Sequence, residues 1–311
     1  MERRPLLTSI GSFPAMSNDP MDAMHKIVAF QRAYGLDVLS DGEGRADILH
    51  IYAGFPGVRV GGGVPRIVGR IEPLADPAAF FKIRDLDHLR SAYPDALFKI
   101  TLTGPSTFAL ACGSSGAGPA YKSALDPVLH DDLVEAIRPL AHEAARQGAL
   151  VQIDDPILSQ GMRDFGPTLR RLDAIASEVP RDRMNLHVCG GLARGKVLEA
   201  LMGLEHISTL LVAFAGRMER ANEGLLDPRA WEDRDLFLGA GSIPVQVSRK
   251  EEVASPEEVA SLLRRISERM GPSRFRYVLP DCGFRGTANE FVPDILGNLR
   301  KGFEAAFPSP S

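Results

Sequence analysis

The chain has 311 residues, of which 44% are hydrophobic and 24% charged, the composition of a globular protein with a large core. Its 36 basic and 40 acidic residues give a formal net charge of −4, which gives no reason to expect a nucleic acid or an anionic membrane as a partner, because both bind basic surfaces. No apolar run approaches the roughly 20 residues that span a bilayer, and no signal peptide begins the sequence, so we expect a cytoplasmic protein.

Eight short apolar runs along the chain predict buried parallel strands. They are residues 6–10, 36–39, 98–102, 150–153, 184–188, 209–214, 236–240 and 275–279. Eight strand-then-helix units predict an α/β protein with a closed (β/α)8 TIM barrel, a single domain over residues 1–311. Two further runs, 58–60 and 67–71, flank the glycine-rich residues 61–65 and predict a small β-hairpin inserted after strand two.

Two helices have clear signals. Residues 256–270 form one apolar stripe, with Ser255 and Glu258 placed to make a capping box at the start. Residues 131–146 show a similar stripe, and Pro139 within it is expected to kink or divide the helix.

Three residues that zinc commonly uses as ligands follow two of the predicted strands. His187 and Cys189 lie at the end of strand five, where the two-residue spacing points both side chains to one side, and Cys282 follows strand eight. The carboxyl ends of barrel strands form the face on which active sites lie. Three protein ligands leave a fourth position open, and a thiol that binds there loses its proton. The alternative is a hydrogen-bonded core histidine with two buried cysteines acting as small apolar residues.

Other polar residues also follow the strands. The carboxylates are Asp41, Glu43, Asp154 and Asp155. They could bind the ammonium group of an amino-acid substrate or transfer a proton, or they could cap the following helices; Asp155, which precedes Pro156, fits a cap best. Ser12 could bind a carboxylate together with backbone N–H groups, or it could be an ordinary turn residue. Cys112 lies in an apolar run and is expected to be a core residue.

Six segments, in this order, resemble the catalytic C-terminal domain of cobalamin-independent methionine synthase. They are TSIGSFP (8–14), DGEGRAD (41–47), LTGP (102–105), VQIDDP (151–156), HVC (187–189) and PDCG (280–283). The family fold is a (β/α)8 barrel. In that family the H-x-C pair and the later cysteine bind zinc, while the serine of I-G-S, the acid of D-G-E and the first acid of I-D-E-P bind homocysteine. The resemblance therefore implies a zinc site at His187, Cys189 and Cys282, and substrate binding by Ser12, Glu43 and Asp154.

The sequence departs from the family in two places. The family usually has a glutamate on strand six as another zinc ligand, where this chain has Ala213 or Phe214. The zinc could then use three protein ligands plus water or thiolate, could use an acid such as Glu219, or could bind more weakly. Long family members also carry an additional N-terminal barrel that these 311 residues do not encode, so we expect a short form.

We therefore expect a zinc-dependent methyltransferase that acts on a thiol, most simply on homocysteine to give methionine. The methyl donor is open between methyl-folate and a methylated corrinoid protein. One alternative is alkyl or epoxide transfer to another thiol, as in the related coenzyme M transferases. Two others are a metal-free decarboxylase of the uroporphyrinogen type and a protein that only binds a thiol or a partner.

Overall fold

The computed structural model describes residues 4–114, 116–160, 165–193, 196–216 and 220–308. The strands are β1 (Leu6–Leu7), β2 (Val38–Leu39), β3 (Val58–Gly61), β4 (Val64–Ile67), β5 (Leu97–Thr103), β6 (Leu150–Asp154), β7 (Met184–Val188), β8 (Thr209–Ala213), β9 (Phe237–Gly241) and β10 (Phe275–Leu279). The helices are α1 (Pro20–Ala33), α2 (Phe81–Ala92), α3 (Pro105–Gly113), α4 (Pro127–Arg146), α5 (Gly166–Ala176), α6 (Val197–Leu201), α7 (Arg220–Glu223), α8 (Pro228–Asp233), α9 (Pro256–Met270) and α10 (Val292–Ala306).

The main sheet has eight strands in the order β1-β10-β9-β8-β7-β6-β5-β2. A parallel bridge between Thr8 and Val38 joins the chain after β1 to β2, the strand at the other end of this order. The fold is therefore a (β/α)8 barrel, as predicted, and each of the eight predicted runs overlaps one of these strands.

The chain divides into two compact units. The first contains Met1–Arg45, His187–Met202 and Thr209–Ser311, and the second contains Ala46–Leu186 and Gly203–Ser208. No helix in the described residues has both the length and the apolar character needed to cross a membrane.

Helix α9 of the first unit begins and ends where the sequence predicts. Ser255 Oγ accepts a hydrogen bond from the Glu258 backbone N–H at 3.2 Å, and Glu258 Oε2 accepts one from the Ser255 N–H at 2.8 Å. This is the predicted capping box. A Cβ placed on Gly302 of α10 would overlap the Val259 side chain of α9, so the glycine allows these two helices to pack closely.

Helix α4 of the second unit is longer than predicted and is not divided. It begins at Pro127 rather than at residue 131, because Asp126 caps it by accepting a hydrogen bond from the Val128 N–H at 3.0 Å. Pro139, expected to kink or divide the helix, lies inside it and does not divide it, since the helix continues to Arg146. The long buried stripe of α4 stabilises the helix across the missing N–H group.

The predicted hairpin after strand two is present as β3 and β4 in the second unit, but the predicted bounds of its second strand are wrong. Gly62 and Gly63 alone reverse the chain, with φ of 62° and 77°, and this conformation forms a two-residue hairpin turn. Val64 and Pro65 therefore pair with β3 instead of forming a five-residue loop. Proline is tolerated here because the strand belongs to a two-stranded sheet whose edges are unpaired.

Candidate metal and substrate site

The three predicted metal ligands lie together in the first unit. His187 is on β7, Cys189 follows the end of β7, and Cys282 lies three residues after β10. One ligand atom from each residue lies within 4.8 Å of the other two. His187 is buried, but both cysteines are only half-buried, so the alternative in which both are enclosed core residues is wrong. One imidazole nitrogen and two sulfurs form a donor set that zinc prefers.

The interactions within this group suit a metal ion. His187 Nδ1 lies 3.3 Å from the Leu211 carbonyl oxygen. A carbonyl can only accept, so Nδ1 carries a proton, and this bond fixes the ring with Nε2 as the nitrogen left for a metal ion. The hydrogen bond with Cys189, together with His187, lowers the pKa of the Cys282 thiol to about 4. The thiolate is the form of cysteine that binds metals, and the residues present therefore fit zinc.

Asn222 connects the loop after Cys189 to the end of β8. This buried side chain donates from Nδ2 to the Gly190 carbonyl at 3.0 Å and to the Ala213 carbonyl at 2.8 Å. Its Oδ1 accepts a hydrogen bond from the Leu192 N–H at 2.8 Å. The loop that carries Cys189 is thereby held against a neighbouring strand.

The end of β8 has no acidic residue, as the sequence indicates. Ala213 and Phe214 are both buried apolar residues there. Within the described part of the chain, the metal-ligating group consists of His187, Cys189 and Cys282. Glu219, the acid considered as a replacement ligand, lies outside the described residues.

Ser12 lies against the loop that carries Cys282. A Cβ placed on Gly283 would overlap the Ser12 hydroxyl oxygen, and the Phe284 N–H donates to the Ser12 carbonyl at 2.9 Å. The Phe13 N–H, a candidate for binding a carboxylate, donates instead to the Gly42 carbonyl at 2.9 Å. The Ser12 hydroxyl therefore lies beside the metal-ligating group, but the Phe13 N–H is already used within the protein.

Glu43 lies in a strained turn that contacts the loop after Cys282. Its φ is 54°, a value uncommon for a residue other than glycine. Asp41 Oδ1 accepts a hydrogen bond from the Glu43 N–H at 3.1 Å, so Asp41 supports this turn. Arg285, three residues after Cys282, donates to the Glu43 carbonyl at 2.6 Å, and its guanidinium lies 3.7 Å from Glu43 Oε2.

Asp154 is the last residue of β6 and Asp155 directly follows it, and both lie in the second unit. Asp154 Oδ1 accepts a hydrogen bond from Gln152 Nε2 at 2.6 Å. The sequence predicts that Asp155 caps the short helical turn after it, but its side chain makes no such hydrogen bond. Asp155 caps α3 instead, because its Oδ1 accepts hydrogen bonds from the Thr107 N–H at 2.8 Å and the Thr107 hydroxyl at 2.6 Å. The carboxylate reaches α3 because Gly104 has no Cβ, which would overlap it. Burial raises the pKa of Asp155 to about 6.

Four residues that bond to the predicted site residues, to their neighbours or to their loops were not selected from the sequence: Lys99, Gln152, Asn222 and Arg285. Lys99 and Gln152 are polar residues inside the apolar runs of strands three and four, a signal that could have identified them. Arg285 and Asn222 lie in loop or short helical segments, where no periodicity marks them.

Comparisons with known proteins identify the family and several relatives of the chain. A model of the family described as "Cobalamin-independent synthase, Catalytic domain" matches residues 15–304. The methionine synthase of Methanothermobacter marburgensis is 30% identical, over 95% of this chain and 98% of that protein. The methionine synthase of Methanothermobacter thermautotrophicus is 29% identical, over 94% and 98%.

Among solved structures, a B12-independent methionine synthase from Shewanella sp. W3-18-1, in complex with selenomethionine, has a similar fold. Its TM-score is 0.77 with 18% sequence identity, over 97% of each chain. That identity supports the fold, whereas the family match over nearly the whole chain supports the relationship. The chain therefore belongs to the cobalamin-independent methionine synthases, a family of methyltransferases.

Proposed function

We propose that this protein transfers a methyl group to the sulfur of homocysteine and gives methionine, with zinc held by His187, Cys189 and Cys282. The observation that carries the proposal is the convergence of one nitrogen and two sulfur ligand atoms within 4.8 Å of one another. The family assignment and the relatives named methionine synthase support the reaction, and they favour it over the decarboxylase alternative.

His187, Cys189 and Cys282 would hold zinc, and zinc bound there would supply a lowered pKa for the thiol of the substrate. Side chains of the protein bind and orient the substrate. We assign the Ser12 hydroxyl to the substrate carboxylate, and Glu43 and Asp154 to its ammonium group, because carboxylates pair with ammonium ions. Orientation of the bound amino acid accelerates a displacement by making it effectively unimolecular.

The transfer is a displacement at the methyl carbon. The thiol proton is released when the thiolate forms, and a sulfur lone pair then forms the new S–C bond. The bond between the methyl group and its donor breaks, and its electron pair leaves with the donor. The reaction therefore needs one methyl donor and no oxidant or reductant.

The first test measures metal in protein purified without added metal, by elemental mass spectrometry. We expect about one zinc per chain in the natural protein, and little in Cys189→Ser or Cys282→Ser, since each variant removes a thiolate ligand. Cys112→Ser is the matched control, because Cys112 is a buried cysteine of α3 outside the metal-ligating group. Equal zinc in all four proteins would contradict the ligand assignment.

The second test is methyl transfer by the zinc-loaded protein. Homocysteine and 2-mercaptoethanesulfonate are compared as acceptors, each with methyltetrahydrofolate and with methylcobalamin as donors. Methionine formation that depends on zinc supports the proposal and identifies the donor class. Preference for the sulfonate thiol would support the coenzyme M type of transferase, and thiol binding without transfer from either donor would support the binding-only alternative.

A further inference from the structure

Strands β5 and β6 of the second unit carry a chain of polar side chains that ends at Asp154. The parallel register places Thr101 opposite Gln152 and Thr103 opposite Asp154. Because side chains alternate between the faces of a strand, Gln152 and Asp154 share one face of β6. Lys99, two residues before Thr101, reaches this face and donates from Nζ to Gln152 Oε1 at 2.7 Å.

The charged groups at the two ends determine how the Gln152 amide is oriented. Its Oε1 accepts from the Lys99 ammonium, and its Nε2 donates to Asp154 Oδ1 at 2.6 Å. The reverse orientation would place an NH2 group against an ammonium and a carbonyl against a carboxylate, and neither pair forms a hydrogen bond. Hydrogen bonds to ionised groups are the strong ones, so one oxygen of Asp154 is held in a defined position.

All three side chains are buried: Lys99 is 3% exposed, Gln152 0% and Asp154 6%. Burial of an ammonium group is costly. It lowers the pKa of Lys99 to about 7, although the negative charge of Asp154 acts in the opposite direction and raises that pKa. A buried charge that costs folding free energy and connects to a substrate-binding group is a candidate for function.

The Gln152 amide bonds to both side chains, so it transmits the constraint from Lys99 to the Asp154 carboxylate.

We propose that Lys99 is a positioning residue, which acts through Gln152 to orient the Asp154 carboxylate for the ammonium group of the thiol substrate. This role rests on the proposed function, because it assumes that Asp154 binds an amino-acid thiol. It predicts that Lys99 determines the preference for homocysteine over the same thiol without its amino group, 4-mercaptobutanoate.

The test measures the affinities of the zinc-loaded protein for these two thiols by calorimetry, with zinc content and circular dichroism recorded for every variant. Lys99→Met should weaken homocysteine binding roughly tenfold, the loss expected for a misplaced hydrogen bond to a charged group, and leave 4-mercaptobutanoate binding unchanged. Lys99→Gln retains an N–H donor for the Gln152 carbonyl, so its affinity for homocysteine should lie between those of the natural protein and Lys99→Met. If Lys99→Met fails to fold, Lys99→Gln replaces it in the test.

The matched control is Lys82→Met. Lys82 is also a buried lysine of the second unit, 2% exposed, but it donates to Thr101 Oγ1 at 2.9 Å. This variant should keep the preference of the natural protein. A double variant, Lys99→Met with Asp154→Asn, should bind homocysteine no more weakly than Asp154→Asn alone, because the lysine acts through that carboxylate.

The outcomes separate the two proposals. If the natural protein prefers homocysteine and Lys99→Met keeps that preference, the role of Lys99 is rejected and the proposed function stands. Additive losses in the double variant would also reject it. If the zinc-loaded natural protein binds neither thiol, the proposed function fails and the role of Lys99 fails with it.

Discussion

Gly283 and Ser12 lie so close together that a methyl group on Gly283 would overlap the Ser12 hydroxyl oxygen. Gly283 directly follows the proposed metal ligand Cys282, and Ser12 is the proposed ligand of the substrate carboxylate. The backbone joins the same two loops, since the Phe284 N–H donates to the Ser12 carbonyl at 2.9 Å. A glycine at position 283 therefore allows the two ends of the substrate site to approach each other.

Gly283→Ala should raise the KM for homocysteine roughly tenfold, because the Ser12 side chain must move away from the added methyl group and lose its hydrogen bond to the carboxylate. Steady-state kinetics on zinc-loaded protein measures this change. Gly286→Ala is the control, since a Cβ at Gly286 meets no atom within 4 Å. An unchanged KM in Gly283→Ala would show that Ser12 does not bind the carboxylate.

Removal of the metal should change the reactivity of two of the three cysteines. Cys189 and Cys282 are half-buried, and Cys282 has a lowered pKa, so both should react with iodoacetamide in metal-free protein and be protected by zinc. Cys112 is buried, as predicted, and burial raises its pKa to about 11, so it should react slowly in both states. Peptide mass spectrometry measures each site. Equal labelling of Cys282 with and without zinc would contradict its assignment as a ligand.

The parts of the fold that follow from local patterns were predictable from the sequence. The eight apolar runs indicate the strands, and the Ser255 and Glu258 pair indicates the start of α9. Where hydrogen bonds between distant residues decide, the prediction fails. Asp155 precedes a proline in the manner of a helix cap, yet its carboxylate binds Thr107 of another helix, 48 residues away in the chain.

Some residues of the candidate site were likewise predictable from the sequence, and others were not. His187 and Cys189 are recognisable by spacing, and Cys282 by its place after a predicted strand, although 93 residues separate it from Cys189. Arg285 and Asn222 were missed because their partners are backbone carbonyls of loops and strand ends, Glu43 for the first and Gly190 and Ala213 for the second. A backbone carbonyl is present at every residue, so no sequence pattern marks such partners.

Arg285→Met should raise the KM for homocysteine with little change in zinc content. The guanidinium donates to the Glu43 carbonyl at 2.6 Å and so stabilises a backbone with φ of 54°, a conformation that costs on the order of 1 kcal/mol or more. Without it, Glu43 should relax and lose its position for the substrate ammonium. Kinetics with homocysteine and elemental analysis measure the two quantities. Loss of zinc together with activity would show instead that Arg285 supports the metal-ligating loop.

The unfolding free energy should depend on pH through Lys99. Burial lowers the pKa of Lys99 from 10.5 to about 7. Between that value and about pH 10.4, the pKa of an unfolded lysine, the unfolded chain binds a proton that the folded chain does not. Stability rises with pH wherever the unfolded state binds more protons. Lys99 therefore lowers the unfolding free energy less and less as the pH rises through this window. Below pH 7 both states are protonated, and the burial cost is fully present.

Urea unfolding at pH 7.5, 8.5 and 9.5 tests this prediction by comparing the natural protein with Lys99→Met, so that other titrating groups cancel. The unfolding free energy of the natural protein should rise relative to that of the variant by up to about 1.4 kcal/mol per pH unit. Lys82→Met should keep the slope of the natural protein, because Lys99 is intact in it. Parallel curves for the natural protein and Lys99→Met would mean that Lys99 keeps its proton in the folded state, in which case the ammonium and the Asp154 carboxylate stabilise each other across Gln152 more strongly than burial opposes them.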